Sequence, residues 1–386
     1  HPSKLAWDES SVYAHWRNRP KDKPFFSIFN FGVTHESNLW NPFHRTYDLM
    51  EFPPPRSLFE WWKGFEGLKK RLYVDKDLDV DIPPYLPDTE IVRNDIKRMY
   101  SNIIEMDKHV GLILNQLEED GMIDQTIIVW YTDHGGPLPR QKRLLYDSGL
   151  HVPMIIRYPN KENAGQKDDQ LISFVDLAPT LLSMLNISIP EYMQGRAFVG
   201  LHEDKNKRKY IHAGSDRLDG YYDMIRAVRD KNFKYLKNFQ PEKGYYLPLD
   251  YREKMASMQE LLRLQREGKL NSEQRQWFRT SKPVEELFDL ENDPFELNNL
   301  AQNKDYKEKL IELRQECKRW MEKIDDKGFI PETQLINQFW PQKIQPITIT
   351  PIVNEDGKKI SIMSQTEGAA IGYKYKGEDM DPWTGW

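Results

Sequence analysis

Between Thr126 and Thr132 the chain reads TIIVWYT, a run of β-branched and aromatic residues that is apolar on both faces and empties into Asp133-His134-Gly135. A strand with two apolar faces has to be covered on both sides, which places it centrally in a sheet flanked by other layers. Upstream, residues 91–117 carry apolar side chains at helical spacing (Ile96, Met99, Tyr100, Ile103, Val110, Ile113, Leu114, Leu117), and Gly121 follows as the stop. Residues 23–33 (KPFFSIFNFGV) read as another buried strand ending at Thr34-His35, and VPMIIRYP (152–159) as a third. ISFVDLAPTLLSML (172–185) reads as a helix with Pro179 near its first turn. This order predicts an α/β fold with a central sheet and flanking helices. Ligands in such folds gather at strand carboxyl ends, where both His35 and Asp133-His134 fall.

The texture changes near Gly200. LHEDKNKRK (201–209) is a charged linker, and residues 223–239 alternate like two antiparallel strands around Asp230-Lys231-Asn232. Residues 255–278 form a charged helical stretch. EELFDLENDP gives a short strand and a turn, followed by a helix through Met321. These features predict a smaller α+β subdomain with an antiparallel sheet. The last fifty or so residues alternate with period two, as in PITITPIVNEDGKKISIMS (346–364). The expected division is 1–200, 201–330 and a β-rich tail at 331–386. Residues 41–88, rich in Pro and Trp without a clear period, read as a long ordered loop.

Composition narrows the partners. Net charge is −5 over 386 residues with no basic stripe, which argues against a nucleic-acid surface. The early apolar run at 25–33 is too short and too interrupted to span a bilayer. Cys317 is the single cysteine, so no intrachain disulfide is possible, and its Lys/Arg/Glu-rich helical setting marks it as structural. The chain opens on His1 without a leader and is expected to begin in mid-protein.

Asp133 and His134 can both present lone pairs to a divalent ion: carboxylate oxygens suit calcium, imidazole more often zinc. Lys142 and Arg143 follow within reach of the same mouth and can bind an anionic group. Taken singly, an Asp-His-Gly turn is more often an ordinary hydrogen-bonded loop, His35 a strand-end cap, and Lys142-Arg143 a solvated pair. Arg140 and His151 are further candidates for a substrate rim, and Arg226 for a wall contributed by the smaller subdomain. His44, His202 and His212 have no informative neighbours, and His109 lies within the long helix.

Five ordered blocks change that balance: KPFFSIFNFGVTHES, IEMDKHVGLILNQLEEDGMIDQTIIVWYTDHG, KRLLYDSGLHVPMIIRYP, FVDLAPTLLSML and EELFDLENDPFELNNLA. Together, over roughly 23–300, they resemble the sulfatase family of the alkaline phosphatase superfamily, and within it the heparan N-sulfatase type and its bacterial relatives. The resemblance implies that Asp133 and His134 ligate calcium, that Lys142 holds a sulfate oxygen, and that His35 contacts the sulfate or its bridging atom. Such groups would stabilise the charge on a sulfate or sulfamate in transfer. It also implies a formylglycine nucleophile made from Cys or Ser in a Cys-x-Pro-Ser-Arg segment, which these residues lack. That segment is expected upstream, so this chain would carry half a calcium site and be inactive alone. The implied substrate is a sulfated, glycosaminoglycan-type sugar, and the implied location is the periplasm, the exterior, or the lysosome in a eukaryote. Two alternatives stay open: a phospho- or phosphonate monoester hydrolase of the same superfamily, and a non-catalytic glycan-binding remnant.

Overall fold

The computed structural model describes residues 7–11, 13–40, 74–344, 347–357, 359–367, 369 and 371. Most of the loop expected at 41–88, with His44, lies outside them. Two compact units emerge: 31–49 with 55–326, and a second made of 1–30, 50–54 and 327–386. Every candidate site residue lies in the first.

That unit is mixed α/β, as expected. Its longest element is helix α1 (Glu90–Glu119), which Thr89 caps by accepting from the Val92 amide. Val92 and Ile96 are fully buried against the main core. The strand expected at 126–132 forms as β1 (Ile128–Tyr131), but it is not central: among the described residues it pairs antiparallel with β2 (Met154–Arg157) alone, Val129 opposite Ile156, and none of its residues is fully buried. Between them lies the single helical turn α2 (Asp147–Leu150). Helix α3 (Leu177–Met184) carries Pro179 in its first turn, where a missing N–H costs nothing.

The smaller antiparallel sheet also forms. Strands β3 (Ile211–Leu218), β4 (Tyr221–Arg229), β5 (Phe233–Asn238) and β6 (Glu285–Asp289) pair in sequence order. β4 is buried along six consecutive residues because both faces are covered. One face meets the main core through Ile225, Ala227, Leu236 and Phe288, joined there by Leu145, Tyr146, Met255 and Met258. The other packs Val228, Tyr235 and Leu287 on Leu310, Leu313 and Cys317 of α4 (Lys307–Lys323). A single core therefore joins residues on both sides of position 200.

One expected element is absent. Residues 23–31 form no strand, and Gly32–Thr34 is a turn of 3-10 helix. The sequence has the right composition, but a strand exists only through its ladder, and no partner strand lies beside it among the described residues.

In the second unit, the alternating tail forms a hairpin, with Ile352–Asp356 paired to Lys359–Met363.

Candidate active site

Two loops build the site. The first is a pair of 3-10 turns hinged at His35, which ends Gly32–Thr34 and caps Glu36–Leu39. Asn38 pins the hinge by donating to the carbonyls of Gly32 (2.8 Å) and Val33 (3.0 Å). His35 Nδ1 accepts from the Ser37 amide at 3.4 Å and lies 2.9 Å from Ser37 Oγ. In the neutral ring this network leaves the proton on Nε2. Its ring edge faces Tyr251, with centroids 6.5 Å apart.

The second loop runs from β1 to β2. Thr132 Oγ1 donates to the His134 carbonyl (2.8 Å), and His134 Nδ1 donates to the Gly135 carbonyl (2.9 Å). The latter bond fixes the tautomer, so Nε2 keeps its lone pair and sits 3.6 Å from Asp133 Oδ1. Gly135 and Gly136 then lie flat on α2, their amides donating to the Gly149 and Ser148 carbonyls. A Cβ at position 135 would stand 2.0 Å from the Ser148 carbonyl oxygen, so only glycine permits this approach. Beyond it, Arg140 (φ 65°) and Arg143 (φ 77°) hold the left-handed backbone that L residues avoid, a strain of the kind that gathers at functional loops.

The two loops meet at Glu36. Its carboxylate, 1% exposed, accepts from Arg143 Nη1 at 2.9 and 3.1 Å, and Lys142 Nζ stands 3.7 Å away. Arg143 is braced by Asp219 at 2.9 Å. Because Arg143 takes the short contacts, the Lys142 ammonium makes no hydrogen bond among the described residues, and its donors are open to a ligand oxygen. The His35 imidazole titrates below its usual range. Burial is the main cause and the Lys142 ammonium the next; Glu36 opposes them, and His134 and Asp133 act more weakly with opposite signs. Glu36, Asp133, His134 and Lys142 therefore all act on the His35 imidazole. Sequence reasoning missed Glu36, although it follows His35 directly. An acid beside a histidine gives no sign that it will be buried under two cations.

The other expected positions are placed differently. Arg140 is 4% exposed, donates to the carbonyls of Phe295 (3.0 Å) and Glu296 (2.9 Å), and lies over the rings of Tyr85 and Tyr146. It pins two segments together instead of forming a rim. The His151 side chain is 73% exposed and sits 3.8 Å from Asp147. Arg226 is clamped by Asp216 and Asp326, its Nε 2.6 Å from Asp326. The structural reading of Cys317 agrees with its burial, which pushes the thiol up to about 12.

Among the described residues no group of three or more His, Cys, Asp or Glu side chains is arranged to hold a metal ion. Asp133 and His134 offer one carboxylate and one imidazole, whereas calcium takes six or more oxygen ligands. The described residues do not by themselves make a calcium site. No helix among them is long and apolar enough to cross a membrane.

Comparison with known proteins adds to this geometry. Residues 9–187 match the family model described as Sulfatase, and residues 140–282 match the one described as N-sulphoglucosamine sulphohydrolase, C-terminal. The chain is 54% identical over 379 residues to an ulvan-active sulfatase of Formosa agariphila, covering 96% of this chain and 63% of that protein. It is 24% identical over 286 residues to human N-sulphoglucosamine sulphohydrolase, covering 70% and 56% respectively. With the endo-4-O-sulfatase of Bacteroides thetaiotaomicron the identity is 25% over 326 residues, covering 76% and 59%. The chain thus spans less than two thirds of the length of each of these relatives.

Proposed function

Since this chain belongs to the sulfatase family, we propose that the protein it is part of hydrolyses sulfate groups on a sulfated polysaccharide, with His35, Lys142, Asp133 and His134 in its active site. The observation that supports this most is the electrostatic meeting of His35 and Lys142, from segments more than one hundred residues apart, over the single buried carboxylate of Glu36. An ammonium with free donors beside a half-buried imidazole suits an anion that carries its charge on several oxygens. The relative at 54% identity makes ulvan the first substrate to try, with glycosaminoglycan-type N- or O-sulfates next. A periplasmic or external location suits a polymer of that kind.

In this reading Lys142 Nζ holds a sulfate oxygen and steadies the charge that builds there in transfer. His35 is neutral at pH 7 when the site is empty. An arriving sulfate favours the imidazolium, so the ring gains a proton with the substrate and can pass it to the departing sugar oxygen or nitrogen. Asp133 and His134 contribute to a calcium site completed by ligands outside the described residues. The nucleophile is likewise supplied from elsewhere, because Cys317 is the single cysteine and no Cys-x-Pro-Ser-Arg segment occurs in these residues. The identity to a named sulfatase favours sulfate over phosphate or phosphonate.

The test is sulfate release from ulvan and from heparan-type oligosaccharides by the protein carrying this chain together with its nucleophile, followed by ion chromatography. His35→Ala should lower kcat by about 100-fold or more, the ordinary contribution of a positioned acid. Phosphate release from phosphomonoesters with no sulfate release from either polymer would overturn the assignment.

A further inference from the structure

Behind Arg143 lies a cavity of about 60 Å³, lined by Arg143, Asp219, Tyr221, Leu249 and Arg252 among others. It adjoins the proposed sulfate site through two links. Arg143 bonds both Glu36 and Asp219. Tyr251, the neighbour of Arg252, faces His35 and lies under the Arg143 guanidinium.

Arg252 is the unusual member. It is 6% exposed, and among the described residues its guanidinium makes one hydrogen bond, from Nη2 to the Leu247 carbonyl at 2.9 Å. Nε is buried with no partner, and no carboxylate lies within ion-pair distance of the guanidinium among the described residues. What it has instead are the faces of Trp277 (4.8 Å) and Tyr246 (5.6 Å). The acids of the cavity wall are committed to other cations: Asp216 to Arg226, Asp219 to Arg143 and Asp223 to Lys282. Burial works most against this cation and the nearby Arg143 charge next, while Tyr246, Glu36 and Asp219 act the other way from beyond ion-pair distance. A buried guanidinium without an ion-pair partner is costly to maintain, and its planar donors at the wall of an otherwise largely apolar hollow match a carboxylate or sulfate.

We infer that Arg252 is a specificity residue: it receives a second anionic substituent of the substrate sugar, a carboxylate or a second sulfate, while the sulfate to be removed sits at Lys142 and His35. Cavity size sets the limit on what enters. A water needs roughly 10–15 Å³ of such space, so the hollow takes a few waters, or one anionic group in their place, but not a sugar ring. The ring stays at the mouth and only its charged arm reaches inside. This inference rests on the sulfatase reading of the neighbouring site.

The experiment measures calorimetric affinities of the protein for four sugars sharing one backbone. They carry one sulfate only, a sulfate plus a uronate, a sulfate plus the same uronate reduced to the alcohol, and two sulfates. Arg252→Met is expected to weaken the sugars with a second anion at least about tenfold more than the singly sulfated one, the scale of one charge-assisted bond. Arg252→Lys should restore part of that difference. Loss confined to the uronate sugar, or to the disulfated one, identifies which anion is received. Leu249→Phe, which fills the hollow without touching the charge, should reproduce the selective loss, and it serves if Arg252→Met does not fold. Lys142→Ala separates the two ideas. If it weakens all the sulfated sugars while Arg252→Met and Leu249→Phe change all four equally or not at all, the second-anion site is wrong and the sulfate site stands. If Lys142→Ala also changes nothing, the underlying reading falls with it.

Discussion

At the scale of single residues, charge type is a poor guide to role until burial is known. Lys142, Arg140 and Arg143 share one short basic stretch, yet each does something different. Lys142 keeps its donors, Arg143 spends its fork on Glu36 and Asp219, and Arg140 is buried as a bolt between segments. The sequence pattern gives no way to rank them, because the partners come from positions 36, 219 and 295–296. Arg140 provides a check. Replacing it with Met removes two charge-assisted bonds and strands two buried carbonyls, which should cost on the order of 3 kcal/mol. The expected signature is a lower midpoint in urea, with the KM for a sulfated substrate within about twofold of wild type. An unchanged midpoint with a raised KM would return Arg140 to the substrate rim.

At the scale of elements, the loop between β1 and β2 is held in shape from below. Lys234 on β5 is 1% exposed, and its ammonium reaches Asp147 Oδ1 at 2.5 Å, the Leu145 carbonyl at 3.1 Å and Glu296 at 2.8 Å. Glu296 in turn accepts from the Asp147 amide at 2.6 Å, at the first residue of α2. Burial alone would raise the Asp147 carboxyl, but Lys234 and Arg229 together hold it below the usual carboxylate range. The antiparallel sheet therefore steadies the very turn on which Gly135 rests. Lys234→Met leaves the buried Glu296 without its cation and Asp147 with Arg229 alone, and should cost roughly 3–5 kcal/mol. Hydrogen exchange should show the added opening first at residues 147–150, and equal protection there in variant and wild type would mean the network is not what holds α2.

Element identity was legible wherever a segment carries its own instructions. The helix at 90–119, the strand at 128–131, three strands of the four-strand sheet and the terminal hairpin show their type in the sequence, whereas β3 at 211–218 was not read. The stretch at 23–31 was misread because a strand depends on a neighbour, and composition says nothing about whether one is present. Candidate site residues followed the same rule. Asp133, His134, Lys142 and His35 were visible because motif order flagged them. Glu36 and Arg252 were not, since an acid and an arginine acquire meaning only from what they are buried beside.

At the scale of the whole molecule, residues on both sides of position 200 share one core, and the proposed site draws on both: the first loop and the β1–β2 loop from the amino side, Asp219 and Tyr251 from the carboxyl side. The central claim is that Lys142 and His35 form a sulfate-recognition point within this chain. Equilibrium binding of a sulfated oligosaccharide and of its desulfated counterpart, to wild type and to Lys142→Ala, tests it directly. The account predicts that wild type prefers the sulfated sugar and that Lys142→Ala loses at least about tenfold of that preference. Equal affinity of wild type for both sugars, or a preference untouched by Lys142→Ala, would contradict it.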